Sequence, residues 1–126
     1  MGQTRYDLED RLLEFAVRII HVAQSVERSD AGRYIADQLL RSGTSPYGHH
    51  GEAEGAESRD DFIHKLRVCY KELREARRWL RLVQRTTLVA SPERLDGLLE
   101  EAGELVRIFA ASLRTAENNR GPRKSR

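Results

Sequence analysis

One cysteine, three prolines and one tryptophan are all that this chain of 126 residues contains of those types. With Cys69 alone, no disulfide can form within the chain. Its place on an apolar stripe reads as a small core residue rather than a reactive thiol. Pro46, Pro92 and Pro122 are widely spaced, and no segment alternates β-branched with polar residues, so a β-rich fold is excluded. No apolar run approaches the roughly 20 residues of a membrane span. Met1–Asp10 is too polar and acidic for a secretory leader, which makes the cytoplasm the expected location. Also missing are an HExxH pair, a second cysteine to share a metal, and a Gly-rich phosphate loop after a strand. No nucleophile has a base placed beside it by sequence. These absences argue against an enzyme and imply neither cofactor nor metal.

What is present is helical periodicity. Between Ser58 and Leu88, Phe62, Leu66, Cys69, Leu73, Ala76, Leu80 and Val83 recur at alternating intervals of four and three. A helix needs that spacing to bury one seam against its neighbours. A second stripe accompanies it: Arg67, Lys71, Arg74, Arg78, Arg81 and Arg85. With the apolar set at the a and d positions of a heptad, these bases fall at b and f and point away from the core.

Similar seams lie on both sides. Leu8, Leu12, Phe15, Ile19, Val22 and Val26 predict a helix from about Asp7 to Glu27, and Leu13, Ala16, Val17, Ile20 and Ala23 widen its apolar band. Such a width suits either a central place in a bundle or contact with another subunit. Ser29 or Asp30 can cap a second helix beginning near Ala31, with Ile35, Ala36, Leu39 and Leu40 inward. Ser42–Gly51, which includes Pro46 and three glycines, then breaks helical grammar. It reads either as a loop or, preferred here, as a kinked helix continuing to about Glu54. Ser58 caps the third helix, expected to end near Leu88. Ser91 and Pro92 restart the chain as cap and first helical residue. A fourth helix to about Glu117 carries Leu95, Leu98, Ala102, Leu105, Phe109 and Ser112 as its seam, widened by Leu99, Val106 and Leu113. Residues 1–117 thus predict an all-α, antiparallel up-down four-helix bundle. Residues 118–126, interrupted by Gly and Pro, predict a flexible basic tail.

Charge is unevenly placed. Residues 59–90 hold nine basic and four acidic side chains, and residues 118–126 hold four basic and none acidic. Residues 1–58 and 91–117 are net acidic. Aligned bases at i, i+4 disfavour a helix by about 0.2–0.5 kcal/mol per pair. Relief can come from acidic stripes (Glu93, Glu100, Glu104) of a neighbouring subunit or from a nucleic-acid backbone. Arg67, Lys71, Arg74, Arg78, Arg81 and Arg85, with Arg120, Arg123 and Lys124 of the tail, are the candidate nucleic-acid contacts. The remaining candidates favour plainer readings. His49, His50, Glu52 and His64 do not converge on one ion by spacing, and exposed or capping histidines are expected. A di-metal bundle needs two Glu-x-x-His pairs, whereas Asp61-x-x-His64 stands by itself. Tyr70 and Trp79 flank the third seam and read as packing residues rather than a base-stacking platform.

The blocks Arg41-Ser42-Gly43-Thr44-Ser45-Pro46, Gly51-Glu52-Ala53-Glu54-Gly55-Ala56-Glu57-Ser58, Asp61-Phe62-Ile63-His64-Lys65-Leu66 and Lys71-Glu72-Leu73-Arg74-Glu75, with Trp79-Leu80, carry a resemblance. From roughly Tyr6 to Asn118 the chain resembles small bacterial four-helix bundle proteins first found encoded in intervening sequences of large-subunit ribosomal RNA genes. That family is similar to the accessory variability proteins of diversity-generating retroelements, which form rings of five bundles with basic surfaces and bind nucleic acid and a reverse transcriptase. The resemblance implies the bundle fold and a ring assembly. It also implies a hydrogen bond from an Asn that family members often place three residues after the proline, where this chain has His49. The expected function is that of a non-enzymatic, self-associating bundle, a homopentameric ring whose basic surface binds RNA or DNA. The alternative is an oligomeric protein–protein adaptor without nucleic-acid binding, and a metal-dependent bundle enzyme is a distant third.

Overall fold

A computed structural model of the protein describes the backbone of residues 4–120 and the side chains of residues 8–119. Four helices form: α1 (Thr4–Ser25), α2 (Asp30–Glu54), α3 (Arg59–Gln84) and α4 (Asp96–Arg120), with a 3-10 turn over Pro92–Leu95 leading into α4. Cross-helix contacts fix their directions. Ile19 of α1 meets Gly43 of α2, Cys69 of α3 meets Pro46 of α2, and Arg67 of α3 meets Glu117 of α4. Toward the other end Tyr34 faces Trp79, and Gln84 bonds to Asp96. Neighbours in sequence therefore run antiparallel, and the fold is an all-α four-helix bundle. α3 packs broadly against both α2 and α4, while α1 and α4 touch sparsely. That open seam is bridged by Arg11, whose guanidinium donates to Glu101 at 2.7 Å and 3.0 Å and to Glu104 at 2.8 Å.

The heptad seams account for the core. Leu66, Cys69, Leu73, Ala76, Leu80 and Val83 of α3 are buried, as are Leu12, Phe15, Ile19 and Val26 of α1. Leu98, Ala102, Leu105 and Phe109 of α4 close the interior. Ser112 is half-buried, and Leu113 and Ala116 carry the α4 core onward instead. Leu99 and Val106 pack against the core from its edge, so the extra apolar width of α4 is spent inside the bundle. That of α1 is not: Ala16 is buried, but Leu13, Val17 and Ile20 remain exposed.

Local chemistry sets the ends. The Ser29 hydroxyl accepts from Gly32 N at 3.0 Å and the Ser58 hydroxyl from Asp61 N at 3.0 Å, capping α2 and α3. Ser91 makes no such bond, because Pro92 opens a 3-10 turn and α4 proper begins at Asp96. α3 stops at Gln84, four residues short of the expected Leu88. There the Thr86 hydroxyl turns back to the Val83 carbonyl at 2.7 Å and accepts from Leu88 N at 3.1 Å. Glu27 N then donates to the Leu88 carbonyl at 2.8 Å, tying the two connectors together. α4 continues to Arg120, three residues past the expected end. No helix breaker precedes Gly121-Pro122 in the sequence.

α2 runs unbroken through Pro46 to Glu54. Ser42, whose carbonyl a proline four residues on cannot serve, sends its own hydroxyl to Gln38 O at 2.9 Å. Gly43 explains how α1 approaches so closely. A Cβ there would lie 2.5–2.8 Å from three Ile19 side-chain atoms, whereas one at Gly48 would meet nothing within 4 Å. The two glycines should respond oppositely to the same change. Gly48→Ala gains up to about 1 kcal/mol of helix propensity. Gly43→Ala gains the same and loses about 1–3 kcal/mol to overpacking against a buried β-branched side chain. Thermal melts should move up for Gly48→Ala and down for Gly43→Ala; equal upward shifts would contradict the tight crossing.

Candidate nucleic-acid interface

Because the a and d positions of α3 are buried, the b and f positions face outward. Arg67, Lys71, Arg74, Arg78, Arg81 and Arg85 are all exposed. At 1.5 Å per residue the row extends about 27 Å. Arg67 pairs with Glu117 across the α3–α4 groove, and the Arg74 guanidinium lies 5.6 Å from the centre of the Tyr70 ring. Among the described residues, Lys71, Arg78, Arg81 and Arg85 have no carboxylate within ion-pair distance. Of the nearby acids, Glu117 relieves Arg67 alone, and Glu104 is engaged outside the row by Arg11. The hydrogen bonds that it donates to Glu101 and then to Glu104 raise the Arg11 guanidinium above its ordinary range. The Arg120 side chain, Arg123 and Lys124 lie outside the described residues.

The rings beside the stripe divide in role. Tyr70 packs against the core edge. Trp79 is half-buried with one side against the core, and its indole N–H donates to Glu75 at 3.0 Å. Its ring also meets that of Tyr34 on α2 edge-on, centroids 6.1 Å apart. Tyr34 and Leu82, both exposed here, escape a reading of seams because they sit one position off the buried sets. An aromatic residue outside a seam was the available signal for Tyr34.

The histidines differ from expectation. His50 is buried, not exposed or capping, with its ring edge-on to Phe109 at 6.1 Å and its Nε2 3.9 Å from Glu54. Its position follows α2 through Pro46, which turns residue 50 onto the same inner face as Leu39, Pro46 and Ala53. His49 is half-buried, and its Nδ1–H donates to the Glu72 carboxylate of α3 at 2.9 Å. An imidazole thus makes a cross-helix bond at the position where the resemblance implied an Asn amide. Among the described residues no three His, Cys, Asp or Glu side chains gather to hold a metal. Cys69 is buried, and its thiol donates to the Pro46 carbonyl at 3.6 Å.

A sequence model described as 23S rRNA-intervening sequence protein matches residues 6–111. The chain belongs to that family. The Ser-Pro and Glu-Ala blocks of α2 that carry the resemblance fall inside the match. Among solved structures, the chain is similar to a protein of unknown function from the S23 ribosomal protein family of Bacteroides thetaiotaomicron. The two are 34% identical over 84% of this chain and 97% of that one, with a TM-score of 0.76. No curated protein matches the chain.

Cys69 offers a test of the seam beneath the stripe. Burial, and then the Glu72 charge, pushes its thiol up to about 12, against about 8.5 in an unfolded chain. A group raised on folding contributes fully below its unfolded value and loses that contribution as pH climbs toward its folded value. Relative to Cys69→Ala, the native protein should lose stability between about pH 9 and 12. At pH 8 it should resist iodoacetamide; alkylation as fast as in urea would contradict the burial of this seam.

Proposed function

We propose that this protein is a non-enzymatic, self-associating bundle whose α3 outer face binds RNA or DNA. The observation that carries the reading is the row of six exposed bases, five on α3 and Arg85 at its C-cap, with one facing an acid in its own chain. Such a row stores like-charge repulsion that a phosphate backbone relieves, and each phosphate neutralised releases counterions. Self-association is supported by apolar side chains that the bundle leaves outside. Leu13, Val17 and Ile20 form a row on α1, and Leu40 and Tyr47 lie exposed on the adjacent α2. Joining copies there removes that surface from water. A homopentameric ring rests on the resemblance to the accessory variability proteins, in which basic bundle faces are displayed around a closed assembly.

Two experiments test the two halves. Reversing Arg74, Arg78 and Arg81 together to Glu should leave helicity and assembly intact and lower RNA or DNA affinity about a hundredfold or more. A triple variant that keeps its affinity would remove the nucleic-acid reading. One that instead dissociates would place this face against a neighbouring subunit and favour the protein–protein adaptor. For assembly, light scattering at micromolar concentration should give a multiple of 14.5 kDa that collapses to the monomer in Val17→Glu. A wild-type mass of one chain would end the ring proposal.

A further inference from the structure

We infer that the nucleic acid taken by this face is single-stranded, with an unpaired base stacking on the Tyr34–Trp79 pair while its phosphates lie on Arg78, Arg81 and Arg85. The inference rests on the nucleic-acid reading above and deepens it. Tyr34 is 60% exposed, more than any other large apolar side chain among the described residues. An aromatic ring held so far in water at a fixed place gains nothing for the core. Trp79 anchors it from within: one side of the indole packs in the core, and its edge-on contact with Tyr34 has an interplanar angle of 80°. Trp79, which Tyr34 contacts from α2, lines an open concavity of about 680 Å³ together with Glu75, Arg78, Arg81, Leu82 and Arg85. That volume falls in the range that holds a small molecule.

The order of side chains around α3 assigns the parts of a nucleotide. Moving from the α2 side outward at 100° per residue, the helix presents Trp79, then Glu75 and Leu82, then Arg78 and Arg81, with Arg85 following at its C-cap. Glu75 accepts the indole N–H at 3.0 Å, which fixes the ring, and its charge repels phosphate from the aromatic side. Leu82, 44% exposed, adds an apolar floor beside the rings. Phosphates are thereby directed to the arginines and the base to the rings. A row of cations alone takes duplex and single strand alike, since both carry phosphates. Stacking on protein rings requires a base with a free face, which a duplex does not offer.

Trp79 is the only tryptophan of the chain, so intrinsic fluorescence reports this pair directly. The full-length protein is titrated with end-labelled 12-mers of oligouridine and oligodeoxythymidine and with a 12-base-pair RNA duplex. Label anisotropy and Trp emission are read together. The expected result is saturable quenching by a single strand of either sugar and affinity about tenfold above the duplex. Tyr34→Ala should lose that tenfold for the single strand alone, Tyr34→Phe should retain it, and both should keep wild-type circular dichroism. Equal affinity for duplex and single strand, or a Tyr34→Ala variant that binds oligouridine as tightly as wild type, overturns the inference and leaves the basic-face reading standing. No anisotropy change with any of the three probes overturns that reading itself.

Discussion

Burial of the α3 seam is the constraint from which the rest of the molecule follows. α3 packs broadly on two sides, against α2 and α4, as α2 does against α1 and α3, whereas α1 and α4 meet sparsely and rely on Arg11 to span the gap. Leu66, Leu73, Leu80 and Val83 are buried on it, each contributing about 1.5–3 kcal/mol relative to exposure. Rotating α3 by even one position would withdraw those side chains and carry guanidinium groups inward, at several kcal/mol for each unpaired charge. The outward direction of Arg67 through Arg85 is therefore set by the core. A surface whose geometry is enforced from inside is a good scaffold for binding a regular polyanion, because its charges need no reordering of backbone.

A second constraint lies in α2, where sequence grammar and structure pull apart. Pro46 removes a donor from the helix ladder, yet the helix continues, and the adjustments fall on both neighbours. Ser42 uses its own hydroxyl locally, Cys69 approaches the Pro46 carbonyl from α3, and His49 reaches Glu72. Gly43 lets α1 come within reach on the opposite side. This block is also where the resemblance to intervening-sequence proteins is most specific. Its residues serve close helix packing, which accounts for why the blocks identify the fold more readily than a chemistry.

How much was legible follows from which physics each feature depends on. The seams of α1, α3 and α4 were readable because burial imposes a period, and the caps at Ser29 and Ser58 were readable because a hydroxyl before a helix has a local role. The end of α3 at Gln84 was not, since it depends on Thr86 folding back and on Leu88 meeting Glu27 from another connector. His50 was misplaced for a related reason: its burial depends on α2 holding its phase through a proline. The candidate site was half legible. Its cations follow from the heptad, but the Arg67–Glu117 pair and the Tyr34–Trp79 contact join residues far apart in sequence, and no spacing along one helix discloses them.

Binding at the α3 face requires that its cations meet phosphates as a set. Its most direct test is the salt dependence of oligonucleotide binding by the unmodified protein. Single-strand binding weakens with a log–log slope of about −0.7 for each phosphate neutralised. With Lys71, Arg74, Arg78, Arg81 and Arg85 all engaged, the slope between about 50 and 200 mM salt should approach −3.5, give or take one contact. A slope near zero, or affinity too weak to measure at the lowest salt, would contradict the account.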